Sequence, residues 1–125
     1  MKTNKSNILR IMLVTGIMFL LCAQGFTQTK TFKINTKGSR YSPSKLEVNA
    51  GDVVKLVITG TNEGNKTDQG WVHTFAIKEL GIEFFVLEGR NEFQFTAPDP
   101  GEYKIECSMN CGPSHEGMVG KLIVH

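Results

Sequence analysis

Past its first 25 residues this sequence has only two cysteines, one tryptophan and, before its last residue, two histidines. Two cysteines cannot make a disulfide scaffold, and about 100 residues can bury a core without one. Helical periodicity is missing: no stretch sets apolar residues three and four apart over several turns. There is no internal repeat, low-complexity tract or composition break, so the 125 residues hold one domain. An excess of positive charge is also missing once the N-terminus is set aside. The chain carries 14 Lys and Arg, but Lys2, Lys5 and Arg10 lie in the first 25 residues, which have no acid. The remaining 11 face 12 Asp and Glu, a net charge of −1. That removes the argument for nucleic acid or an anionic membrane surface as a partner.

The N-terminus itself is distinctive. A basic stretch to Arg10 is followed by an apolar run from Ile11 to Ala23 and then by small residues to Gly25. This reads as a secretory signal peptide over residues 1–25, cleaved near Gly25, with an uncleaved anchor as the alternative. The run is shorter than the roughly 20 apolar residues of a spanning helix. Bulky Leu21 before Cys22 fits a lipoprotein site poorly. The expected location is outside the cell's cytoplasm, in a periplasm or on the outer face of the cytoplasmic membrane. Membrane contact would come only through an uncleaved leader or a partner.

What residues 26–125 do contain is alternation. Phe32 and Ile34, then Val54, Leu56 and Ile58, then Phe93 and Phe95, then Tyr103, Ile105 and Cys107 fall on every second position. Turn signals separate these runs at Asn49–Asp52 and at "PDPG", and polar "TNEGNKTDQG" reads as a surface loop. Seven or eight short strands predict an all-β, antiparallel Greek-key sandwich or barrel. Phe75, Phe84, Phe85, Phe93 and Phe95 are expected in the core or shielding a site, and Trp71 in the core, with a place near the site as an electron conduit as the alternative. Alternation through "YKIEC" turns Cys107 inward where its strand leaves the sheet, a common place to build a site.

The soft residues gather there. "CSMNCGPSHEGM" spaces Cys107, Cys111, His115 and Met118 as Cys-x3-Cys-x3-His-x2-Met. One reading is a Cys107–Cys111 disulfide, with His115 on the surface and Met118 filling core space. A bridge closing so short a loop would gain little chain entropy, which weakens that reading. The other reading adds His73, inside an apolar run where an unpartnered imidazole would be costly to bury. Thiolate, thioether and imidazole together favour copper, whereas zinc seldom takes Met. One Cys (Cys111) with His73, His115 and Met118 would make a mononuclear blue-copper site and leave Cys107 idle. Two bridging thiolates with a His on each ion would make a binuclear one. No general base, nucleophile or open coordination position is evident, so any turnover would lie in a partner.

The segment "HTFAIKELGIEFFVLEGR" together with "CSMNCGPSHEGM" resembles the periplasmic copper domain, CuA, of cytochrome c oxidase subunit II, a member of the cupredoxin superfamily. The resemblance is detailed from Trp71 onward; "YSPSKLEVNAGDVVKLVIT" is similar to cupredoxins in general, and "HEGMVGKLIV" to the CuA domain of nitrous-oxide reductase. It implies a cupredoxin-like domain over residues 26–125 with two copper ions. Cys107 and Cys111 would bridge them, His73 and His115 would be terminal, Met118 a weak thioether, and Met109 a carbonyl donor. It further implies electron transfer with a redox partner such as a cytochrome or an oxidase subunit, directly or as the electron-entry subunit of a terminal oxidase or related reductase. Copper carriage is the remaining alternative. The chain departs from the family at three places. Met109 stands where the oxidase subunit has Glu, Phe85 stands where it has Asp, and its Trp- and Tyr-rich electron-entry segment has no counterpart.

Overall fold

A computed structural model of the chain describes residues 25–63, 65–68 and 70–125. The expected signal peptide falls outside these, apart from Gly25. The strands are β1 (Thr29–Asn35), β2 (Lys45–Val48), β3 (Val53–Gly60), β4 (Asn65–Thr67), β5 (Gly70–Ile77), β6 (Ile82–Leu87), β7 (Gly89–Thr96), β8 (Gly101–Glu106) and β9 (Val119–Val124). Two single 3-10 turns, Lys78–Leu80 and His115–Gly117, are the helical pieces among the described residues.

The strands form two sheets, ordered β1-β3-β7 and β2-β9-β8-β5-β4, with β6 paired to β5. Alternation sets which faces meet. Val54, Leu56 and Ile58 of β3 are fully buried against Phe75 and Ile77 of β5, Val86 of β6, Ile105 of β8 and Leu122 of β9 in one core. The all-β sandwich is as expected, with two differences. Pairing is mixed rather than antiparallel throughout, because β1 lies parallel to β3 and β2 parallel to β9. Such pairs join segments far apart in the chain, which alternation within a strand does not specify. The polar loop also contains β4, which pairs antiparallel with the start of β5. Here a hairpin partner, not apolar content, makes the strand.

The phenylalanines divide. Phe75 is buried, Phe84 and Phe93 stack at 4.6 Å, and Phe95 is partly buried against the core. Phe85 points outward and is 58% exposed, because its neighbours Phe84 and Val86 take the inner face of β6. Trp71 is half-buried outside the core, with the Lys66 ammonium 5.9 Å from its ring centroid.

Two features fix the end of the sandwich that matters for function. Gly120 on β9 runs so close to the segment before β2 that a Cβ there would lie 2.5 Å from the Ser44 carbonyl oxygen. The next amide, Lys121, donates to that same oxygen at 2.8 Å. At β8, Glu106 pairs with Ala76 of β5 and accepts ion pairs from Lys78 at 2.6 Å and Lys104 at 2.7 Å. These contacts hold the end of β8 against β5 and the start of β9 against the segment before β2, and the cysteine loop spans from β8 to β9.

Candidate metal centre

The site is assembled from one strand and one loop. His73 lies on β5 opposite Val86 of β6 and is fully buried. Cys107 is the first residue after β8 and continues its alternation inward, at 4% exposure. Its amide donates to the Met118 carbonyl at 3.3 Å, closing the loop at its base. Inside the loop, Gly112 adopts φ +109°, a conformation that disfavours any residue with a Cβ. Its carbonyl accepts the His115 amide at 3.0 Å, and the following 3-10 turn ends with the Met118 amide on the His115 carbonyl at 3.0 Å. These bonds return the chain so that His115 and Met118 face Cys111.

The donor atoms converge. One ring nitrogen of His73 and the sulfurs of Cys107 and Cys111 all lie within 4.8 Å of one another. Cys111 Sγ is 3.6 Å from His115 Nδ1 and 3.8 Å from Met118 Sδ. Cys107 Sγ is 3.3 Å from the Met109 carbonyl oxygen. The other four sequence-expected residues, His73, Met109, His115 and Met118, therefore lie around the two sulfurs. Cys111 and Met118 are buried, while His115 is half-buried between exposed Ser114 and Glu116. A surface cavity of about 270 Å³ reaches the loop from this side, between Glu116 and Lys104.

Three observations show that these residues fit a metal ion. Neither ring nitrogen of His73 makes a well-formed hydrogen bond among the described residues, although the side chain is fully buried, and the polar group beside its ring is the Cys107 thiol, a weak partner. An orphaned buried imidazole is destabilising unless something accepts its lone pair. Both cysteines are free thiols. Their ionisation is also split. Burial opposes charge on Cys107, but the His73 ring beside it, Thr74 and the Met109 backbone more than offset this and draw its thiol down to about 6. Burial pushes the Cys111 thiol up, and its neighbour Cys107 adds to this, to about 12. Two adjacent thiolates repel, and a bound cation is what allows both to ionise.

Three further residues touch the site. The Thr74 hydroxyl lies 3.5 Å from Cys107 Sγ and 2.9 Å from the Ser108 hydroxyl. Tyr41, buried and edge-on to Phe75, donates its hydroxyl to the Thr74 carbonyl at 2.6 Å. Burial, with the two thiols nearby, pushes the Tyr41 hydroxyl far above its ordinary range, so it stays a donor. Sequence reasoning missed all three. Only Thr74 left a signal, as the residue after His73 in the segment "HTFAIKELGIEFFVLEGR" that carries the resemblance. Tyr41 reaches the site through a chain crossing that no local pattern shows, and Ser108, although it follows Cys107 directly, is a hydroxyl whose pairing with Thr74 depends on that same tertiary approach.

A two-sheet all-β fold with a His, Cys, Cys cluster at one end fits a cupredoxin. The cupredoxin-like domain family matches residues 10–124, and the chain belongs to it. Within that class it is similar to cytochrome c oxidase subunit 2 of Thermus thermophilus, with 31% identity over 85 residues, 67% of this chain and 57% of the relative. A second Thermus thermophilus subunit 2 shares 31% identity over 67% of this chain and 46% of its own length. The chain thus spans about half the length of these curated relatives. Two solved structures share the fold. The periplasmic domain of cytochrome oxidase subunit II of Bradyrhizobium japonicum matches at TM-score 0.60 and 20% identity, over 76% of this chain and 83% of that one. Auracyanin A, a blue copper protein of Chloroflexus aurantiacus, matches at TM-score 0.59 and 21% identity, over 78% and 99%. Family and donor set together support copper as the metal. Among the described residues no helix is long and apolar enough to cross a membrane.

Proposed function

We propose that this chain is an exported electron-transfer protein holding a binuclear, CuA-type copper centre. Cys107 and Cys111 bridge the two ions, His73 and His115 are terminal ligands, and Met118 and the Met109 carbonyl are weak ones. The observation that carries this reading is the pair of free, buried thiols with an imidazole on either flank. His73 clusters with both sulfurs, while His115 Nδ1 approaches Cys111 alone. A mononuclear blue-copper site would use one thiolate and leave Cys107 buried without a role.

Copper, when bound, supplies a reversible one-electron change that two thiolates can share. The protein's own contribution is rigidity and exclusion of water. His73, Cys107, Cys111 and Met118 are all buried, so the donors keep their places whichever charge the site carries. The loop bonds from Gly112 to His115 and from His115 to Met118 hold the outer donors to the strand ends. His115 is the half-exposed edge through which an electron enters or leaves.

The partner is a one-electron redox protein such as a cytochrome or an oxidase subunit, met in a periplasm or on the outer face of the cytoplasmic membrane. The Thermus relatives favour a second, nested reading, in which the chain is the electron-entry subunit of a terminal oxidase. Co-purification with a haem–copper membrane subunit supports that reading, and isolation only as a free monomer counts against it. Copper analysis and electron paramagnetic resonance of the purified protein test the centre itself. Two coppers per chain are expected. One copper would move the reading to a blue site, and rapid loss to a mild chelator would move it to a copper carrier.

A further inference from the structure

Thr74 is 1% exposed, and its hydroxyl has more partners than it has protons. Its oxygen accepts the Ser108 amide at 2.7 Å. It also lies 2.9 Å from Ser108 Oγ and 3.5 Å from Cys107 Sγ. Ser108 Oγ in turn gives its proton to the Glu83 carboxylate. A carboxylate only accepts, so the Ser108 proton is committed outward and its oxygen is left to accept. The single Thr74 proton then has two competing acceptors, the Ser108 oxygen and the Cys107 sulfur.

We propose that Thr74 is a positioning residue for the electron-transfer site, dividing one proton between Cys107 Sγ and Ser108 Oγ so that Ser108 and Glu83 set how strongly the sulfur is hydrogen-bonded. Hydrogen bonds around a ligating sulfur tune the potential of a copper site. A donor to the thiolate withdraws electron density from it and favours the state richer by one electron, supplied by the redox partner. The network is well placed for this. Thr74 sits next to His73 on β5, Ser108 is next to Cys107, and Glu83 on β6 is exposed to solvent. The inference rests on the copper reading above.

The potential of the copper-loaded protein tests it. Thr74→Val keeps the shape and removes the donor, so the potential is expected to fall. Thr74→Ser, which restores a hydroxyl, is expected to bring it back toward wild type. Ser108→Ala removes the competing acceptor at an exposed position, so the potential is expected to rise. The opposite signs are the signature, since mere loosening of the loop would move both variants the same way. If Thr74→Val did not fold, the Ser108→Ala shift alone would decide, and a fall or no change there would overturn the inference. In the metal-free protein, Thr74→Val is expected to speed hydrogen exchange at the Ser108 amide; unchanged protection contradicts the contact. A wild type that binds no copper overturns the proposed function and this inference with it. A loaded wild type whose variants shift together, or not at all, overturns this inference alone.

Discussion

At the scale of single residues, His73 carries the sharpest trade between stability and function. A buried imidazole with neither nitrogen well paired is a liability in the metal-free protein. An unsatisfied buried polar group costs about 1–3 kcal/mol, and an apolar side chain of similar shape in its place is neutral to stabilising. His73→Leu is therefore expected to leave the metal-free protein as stable as wild type or more so in urea unfolding. The same variant should lose copper uptake. A variant less stable than the metal-free wild type would mean that His73 is satisfied by the protein itself. Cys107 is the other decisive residue. Cys107→Ser is expected to keep the fold, by circular dichroism, and to lose the two-copper spectrum. Unchanged copper binding would contradict a two-thiolate site.

At the scale of elements, the cysteine loop depends on how its ends are held, at β8 against β5 and at β9 against the segment before β2. Gly120→Ala on β9 would drive a Cβ into the Ser44 carbonyl, a backbone atom that cannot swing aside. Overpacking of this kind costs about 1–3 kcal/mol, read as a lower urea midpoint. A neutral effect would show that the segment before β2 gives way. Glu106 provides the pH dependence. Its ion pairs, first with Lys104 and then with Lys78, hold its carboxyl below the ordinary value of 4.5. The unfolded chain therefore takes up this proton first as the solution is acidified. The stabilisation is fully present above the ordinary carboxylate range and is lost as pH falls through the lowered value. Glu106→Gln should show a flatter loss of stability in acid than wild type, and identical acid profiles would remove this role. These elements also show what the sequence made legible. The alternation of Val54, Leu56 and Ile58, and of Ile105 and Cys107, predicted inward faces that the structure keeps. The parallel pairings and β4 depend on partners distant in the chain or on a hairpin neighbour, so no local pattern revealed them. Phe85 departs from its expected place because a short apolar run does not say which of its two faces is buried.

For the whole molecule, the proposed site predicts that metal binding and folding are coupled. The donors come from β5 near the middle of the chain and from the loop before β9 near its end, so only the folded chain presents them together. A ligand that binds the folded state alone stabilises it, by about 4 kcal/mol when its free concentration is 1,000 times its dissociation constant. Copper should accordingly raise the thermal midpoint of the wild type, and a strong chelator should reverse the gain. His73→Leu should show neither change. The candidate donors and their spacing were legible in the sequence because a site of soft donors needs particular atoms, and few other residues supply them. The surrounding hydrogen bonds were not, since Tyr41, Thr74 and Ser108 act from three separate segments through hydroxyls that many other positions could carry.

The most direct test is electron paramagnetic resonance of the copper-loaded wild type, with copper counted in the same sample. A binuclear site with two bridging thiolates predicts two coppers per chain and, in the one-electron-oxidised protein, a single spin coupled to both copper nuclei. One copper per chain, with the spin coupled to a single nucleus, would contradict it.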